Sequence, residues 1–270
     1  MRIAITGSND GIGKETARQL LEQGHRVVMI SRASEKSRAA ADELSAVGEV
    51  NLLPCNLASL REVADAAATV ARRYPDTKVV ICNAGVLKKQ RLESEDGVEL
   101  TFAVNHLAHF LLVTRLVPTL EANAPSRVVV VSSMVHEGAT VDLDNLEMER
   151  GYDGMRAYAQ SKRANVLFVR ELSRRCRQAG ITANALHPGV IATKLLHEYF
   201  SGGAQVREGA KTSVYLATSQ EVASVSGGYF EKQQPVRSSA LEGEEELARA
   251  LWERSEQLVE QILEGGGTGE

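Results

Sequence analysis

Two hydrophobic periods alternate along the chain. Short runs rich in β-branched residues occupy Arg2–Thr6, Arg26–Ile30, Glu49–Pro54, Lys78–Cys82, Arg127–Ser132 and Ile181–Leu186. Between them lie longer stretches whose apolar residues recur every three or four positions, the period of a helix packed on one face. These predict helices over Gly13–Gln23, Ser34–Ala46, Ser59–Arg73, Glu95–Glu121, Arg156–Gln178 and Glu244–Glu264, with Gly24 ending the first and Ser59 capping the third. Pro118 is expected to bend the fourth. A seventh strand is read at Val225–Phe230, and Gly265–Glu270 as a frayed tail. The four consecutive valines Val128–Val131 suit a strand covered on both faces. Strands that alternate with helices need crossovers, so the chain predicts an α/β fold: a doubly wound, seven-stranded parallel sheet with helices on both faces.

Composition narrows this little. At 270 residues, with no internal repeat or linker, one domain over residues 1–264 is expected. The formal net charge of −4 has both signs interspersed and no basic block, which speaks against nucleic acid or an anionic membrane as partner. Cys55, Cys82 and Cys176 have no paired spacing and no nearby histidines, so they are read as free thiols in a reducing compartment, with no metal site. No apolar run is expected to reach the ~20 residues of a membrane span. The first strand starts at Arg2, leaving no room for a signal peptide or anchor. The expectation is a cytoplasmic protein.

Two stretches carry chemistry. In Arg156-Ala-Tyr-Ala-Gln-Ser-Lys-Arg163, Tyr158 and Lys162 stand four apart and share a helical face. A phenol, with a pKa near ~10, is a weak acid at neutral pH, and a nearby ammonium favours the phenolate. The pair is a candidate general acid/base for a carbonyl or alcohol oxygen. The spacing alone decides nothing, for Tyr74 and Lys78 share it, and there Pro75 denies a common helical face. The second stretch is Thr6-Gly-Ser-Asn-Asp-Gly-Ile-Gly13, between the first strand and the first helix. Glycines there let the backbone approach a pyrophosphate at a helix N-terminus. A P-loop is excluded, because Ser8 replaces its first glycine and Glu15 follows Lys14.

This arrangement resembles the short-chain dehydrogenase/reductase family over nearly the whole chain, with its Rossmann-type sheet. Cys82-Asn-Ala-Gly85 ends the fourth strand where the family carries Asn-Asn-Ala-Gly. The resemblance implies four catalytic residues. Tyr158 would be the proton donor and Lys162 its partner, also holding the nicotinamide ribose. Ser133 would hydrogen-bond the substrate oxygen, with Ser132 as the alternative register, and Asn105 would hold the lysine and its water. It also implies dinucleotide contacts from Thr6, Gly7, Ser8, Asn9, Gly11, Ile12, Gly13, Asn56, Leu57, Asn83, Ala84 and Gly85. In His187-Pro-Gly-Val-Ile-Ala-Thr193, Pro188, Gly189 and Val190 would clasp the nicotinamide, and Thr193 its carboxamide. Further wording, such as Val104-Asn-His-Leu-Ala-His-Phe-Leu-Leu112 and Ala159-Gln-Ser-Lys-Arg-Ala-Asn-Val-Leu-Phe168, is similar to the retinol dehydrogenase-like subgroup.

Cofactor choice is read after the second strand, which ends Ile30-Ser31-Arg32 without the carboxylate that binds a ribose 2′-hydroxyl. Arg32 and Ser31 suit a 2′-phosphate, so NADP(H) is expected over NAD(H), although Asp10 and Glu35 stand close by. Asn56 replaces the family's aspartate at the adenine. The expected activity is interconversion of a hydrophobic aldehyde or ketone and its alcohol. A catalytically silent dinucleotide-binding regulator, and a reductase of activated carbon–carbon double bonds, are the alternatives. Substrate identity is placed in residues 194–209, where Leu195, Leu196, Tyr199 and Phe200 either form an apolar lid or are ordinary packing. His106, His109 and His136 lack a partner fixed in sequence and are read as packing or surface residues, His136 with a second option of lining the substrate cleft. Many family members assemble through their long helices, so a homodimer or homotetramer is an open expectation.

Overall fold

The computed structural model describes residues 1–191, 205–241 and 243–265. Seven parallel strands stand in the order β3-β2-β1-β4-β5-β6-β7, and a short β8 pairs antiparallel with β7 at the edge. They are β1 (Arg2–Thr6), β2 (Arg26–Ser31), β3 (Val50–Pro54), β4 (Thr77–Cys82), β5 (Ser126–Val131), β6 (Ile181–His187), β7 (Tyr229–Glu231) and β8 (Gln234–Val236). The helices are α1 (Gly11–Glu22), α2 (Glu35–Ser45), α3 (Leu60–Arg73), α4 (Leu100–Ala122), α5 (Gly154–Arg175), α6 (Val206–Thr218) and α7 (Glu245–Gly265).

Alternate residues of each strand feed two separate cores. Ile3, Ile5, Val27, Met29, Val129 and Val131 pack under α1, α2 and α6. Ala4, Val28, Ile30, Val128 and Val130 pack under α3, α4, α5 and α7. The valine run of β5 is thus shared equally between two faces, each buried valine worth about 1.5–3 kcal/mol. The chain starts mid-sheet, winds outward to β3, then crosses back to β4 on the other side of β1. That reversal opens a crevice at the carboxyl ends of β1 and β4, where such sheets bind ligands.

Three expectations change. The seventh strand is confined to Tyr229–Glu231: before it, the Gly227 amide donates to the Ala183 carbonyl at 2.7 Å, while Gly228 donates to the Asn184 side chain and accepts from the Ala185 amide, each at 2.9 Å. Exposed β8, with Pro235 at its centre, is an added eighth strand at a blunted edge. The fourth helix begins at Leu100, not Glu95. Residues 93–99 fold into a clasp in which Asp96 accepts from the Leu60 amide at 2.7 Å, and buried Glu99 caps the amides of Thr101 and Phe102 at 2.8 and 2.7 Å.

Helix α4 also corrects the view that no run approaches a membrane span. It has 23 residues and an 18-residue window of mean hydropathy 1.4, apolar enough by length and composition, with 78% of that window buried inside the fold. Within it, Ala103–Leu107 is a π-helical turn, a widening that often marks functional sites. Helix α7 closes the outer side of α4 and α5. Trp252 lies 4.9 Å from the Phe110 ring and 5.7 Å from Phe168, with the Arg175 guanidinium 4.4 Å over its face.

Candidate active site

The turn after β1 is built around close approaches. A Cβ on Gly7, whose φ is +66°, would meet the Ala84 Cα at 2.9 Å, and one on Gly13 would meet the Gly7 carbonyl oxygen at 2.3 Å. The Asn83 side chain donates to the Thr6 and Gly7 carbonyls at 3.0 and 3.3 Å, tying the end of β4 to this turn. Asp10 is the N-cap of α1 but makes no side-chain capping bond there, so the first amides of the helix are left for another acceptor. Gly11, Ile12 and Gly13 all face the crevice.

The catalytic candidates come from β5, α4 and α5. Lys162 is buried, with its ammonium 5.5 Å from the Tyr158 ring centre, and it donates to the Val131 carbonyl at 3.0 Å. Both serines line the crevice: Ser132 donates to the Lys162 carbonyl at 2.7 Å, and Ser133 is the one whose side chain influences the Tyr158 phenol. Asn105, in the π-helical turn, accepts from the Val86 amide at 2.7 Å and donates to the Val86 carbonyl at 2.9 Å and to Ser161 at 3.0 Å. Gly85 lies between them, where a Cβ would sit 3.4 Å from the Lys162 ammonium and 3.5 Å from the Asn105 amide oxygen.

Electrostatics here differ from the simple pairing argument. Burial pushes the Tyr158 phenol up to about 12, with the Ser133 hydrogen bond pulling the other way. Burial also lowers Lys162 from 10.5 to about 8. Desolvation therefore sets the direction for both groups, and at neutral pH the Tyr158 phenol is protonated.

One crevice of about 1070 Å³ collects most of the predicted residues. Gly7, Asn9, Gly11, Ile12, Gly13, Ser31, Arg32, Asn56 and Leu57 line its outer half. Asn83, Ala84, Gly85, Ser133, Tyr158, Lys162, Pro188, Gly189 and Val190 line the inner part. Thr6 and Ser8 are fully buried behind the turn, Ser8 donating to the Ile5 carbonyl at 3.1 Å, and Asn105 also stands behind the wall. Thr193 and the lid residues Leu195, Leu196, Tyr199 and Phe200 lie outside the described residues. Asn56 is oriented by Glu95, to which its amide donates at 2.6 Å, and its oxygen accepts from the Ala58 amide at 3.2 Å, leaving a second lone pair. Asp10, also in the lining, is ion-paired with Lys36.

Periodicity does not point out the apolar part of the lining, to which Val86, Leu87, Leu100, Val104, Met155 and exposed Met134 contribute. Leu100 and Val104 share a helical face four residues apart, a signal that was present but looked like ordinary core. His187 also lines the crevice, and among the described residues its buried Nδ1 has no hydrogen-bond partner, nor has buried Ser31 Oγ. His136 is buried away from the crevice, with Nδ1 2.6 Å from the Ser133 carbonyl oxygen and Nε2 2.6 Å from Ser238 Oγ. His106 packs against Phe102 at 5.1 Å and reaches Ser255 of α7 at 2.9 Å. His109 joins Asn105 to Thr6. The cysteines are buried free thiols, and among the described residues no cluster of His, Cys, Asp or Glu could hold a metal.

Known proteins are similar to this chain in sequence and fold. A family model described as short chain dehydrogenase matches residues 1–203. Human retinol dehydrogenase 13 is 38% identical over 95% of this chain and 84% of its own length. Human retinol dehydrogenase 14 is also 38% identical, over 95% of this chain and 85% of its own. A solved structure of an uncharacterized protein from Mycobacterium Paratuberculosis matches with a TM-score of 0.82 at 34% identity, covering 96% of this chain and 93% of that one. A Pseudomonas aeruginosa RhlG/NADP active-site complex shares the fold, with a TM-score of 0.71 at 24% identity over 85% of this chain and 93% of that one. A family match over residues 1–203, with relatives 38% identical across most of both chains, shows that the chain belongs to the short-chain dehydrogenase family and is retinol dehydrogenase-like.

Proposed function

We propose that the chain is an NADP(H)-dependent oxidoreductase that reduces a hydrophobic aldehyde or ketone, or oxidises the corresponding alcohol. The observation that carries this reading is the convergence of Tyr158, Ser133 and Lys162 on the crevice that also holds the glycine turn and Arg32. A nicotinamide dinucleotide fits the residues present. The open N-terminus of α1 suits its pyrophosphate, and unpartnered Ser31 Oγ with exposed Arg32 suits a 2′-phosphate. When bound, the cofactor supplies or accepts a hydride.

Ser133 and Tyr158 would both donate to one carbonyl oxygen and so orient the substrate. Tyr158 would pass its proton to that oxygen as the carbonyl is reduced to the alcohol, the dinucleotide supplying the hydride and leaving oxidised. Lys162, held near pH 8, is the adjacent source from which the phenolate regains a proton. The apolar part of the crevice lining supports a hydrophobic substrate, and the retinol dehydrogenase name of the relatives agrees with that class without specifying the compound.

The test is NADPH oxidation against a panel of hydrophobic and polar aldehydes and ketones. The proposal expects turnover on the hydrophobic members. No turnover on any carbonyl, with NADPH binding intact, would overturn it in favour of alkene reduction or a silent binding protein.

A further inference from the structure

His109 lies one turn after Asn105 and is 1% exposed. Its ring reaches two parts of the site: Nδ1 is 3.0 Å from the Asn105 carbonyl oxygen, and Nε2 is 2.8 Å from Thr6 Oγ1. A carbonyl only accepts, so Nδ1 carries the proton, and a neutral ring then offers Nε2 as an acceptor. The Thr6 hydroxyl therefore donates to His109. Its oxygen accepts from the Asn83 and Ala84 amides at 2.9 and 3.1 Å. One donor and two lone pairs are all used. Burial, with the Lys162 charge adding to it, holds the imidazole down near 4, in keeping with that neutral wiring.

Three segments meet at this ring. Thr6 leads into the glycine turn, Asn83 and Ala84 end β4, and Asn105 fixes Val86 and Ser161 beside the Lys162 ammonium. We propose that His109 is a positioning residue of the reaction, setting the glycine turn and the Asn105–Lys162 pair in register so that dinucleotide binding and proton donation depend on the same two hydrogen bonds. The inference rests on the oxidoreductase reading above. His109 is not among the residues that line the crevice.

The test is a double-mutant cycle with wild type, His109→Leu, Thr6→Val and the double variant, with NADP⁺ titrated by calorimetry and carbonyl reduction followed in parallel. His109→Leu is expected to raise the NADP⁺ Kd and lower kcat by about tenfold each, the size of one or two buried hydrogen bonds, with the carbonyl KM within twofold. In the Thr6→Val background the same change is expected to cost less than twofold. A Kd within twofold of wild type, or losses that multiply in the double variant, would overturn the proposal. A merely structural role would lower the binding stoichiometry and leave Kd untouched, which also overturns it. If His109→Leu does not fold, His109→Gln, whose amide keeps a donor and an acceptor, is measured with Thr6→Val, under the same criterion of non-additivity. A wild type that binds NADP⁺ but reduces no carbonyl sinks the functional reading, while the binding cycle still decides the role of His109.

Discussion

The Ser132 hydroxyl donates to the Lys162 carbonyl at 2.7 Å, clipping the end of β5 to the middle of α5. The Ser132 hydroxyl is thereby spent on architecture, and Ser133, also in the crevice lining, is the serine left for the proposed substrate contact. Ser133→Ala is expected to lower kcat by about 10–100-fold with little change in melting temperature, as for loss of one oriented donor in the transition state. Ser132→Ala is expected to lower stability by about 1 kcal/mol, read by urea denaturation. The opposite pattern would reverse the two roles.

Tyr158→Phe removes the proton donor and keeps the packing. Carbonyl reduction should fall by about 10²–10⁴-fold while NADPH still binds. A variant within tenfold of wild type would remove Tyr158 from the mechanism.

Lys162 gives a signed prediction for pH. Its folded-state pKa is near 8 against 10.5 for an ordinary lysine, so below pH 8 the fold carries a buried charge at a cost of about 3 kcal/mol. Between these values the unfolded chain binds more protons, and stability rises with pH. Lys162→Met should therefore be more stable than wild type at pH 7, with the difference shrinking from pH 8 to 10.5. The same variant should lose reductase activity. Chemical denaturation across that range would expose a flat difference, which would contradict the depressed value.

Arg32→Glu places a carboxylate where a ribose 2′-hydroxyl would lie. NADP⁺ should bind about tenfold or more weakly, and NAD⁺ no worse than before, by calorimetry. Unchanged NADP⁺ affinity would remove Arg32 from the 2′-phosphate.

Trp252→Ala should cost about 3–5 kcal/mol, because the indole fills the space between Phe110 and Phe168 under Arg175. A loss under 1 kcal/mol in denaturant titration would mean that the three-helix contact collapses around the gap.

The strands were legible because a parallel sheet buried on both faces writes itself as β-branched runs, Val128–Val131 most plainly. The glycine turn and the Tyr158–Lys162 face were legible because their chemistry is local in sequence. What escaped was decided at long range. Helix α4 starts five residues late because Asp96 and Glu99 find amide partners that no local pattern reveals. The upward shift of Tyr158 comes from burial by segments far along the chain. His109 looked like packing because its partner Thr6 lies 103 positions away, though its spacing from Asn105 was visible.

Helix α7 has a consequence for the order in which the protein is made. The outer wall of the active-site helix α5 is sealed by Trp252, which leaves the ribosome after every strand and every other described helix. Until then Phe110 and Phe168 lack this indole cover on a nascent chain that already carries Ser133, Tyr158 and Lys162. This interval, more than the finished fold, is when the protein is open to aggregation, and it is where a chaperone would act.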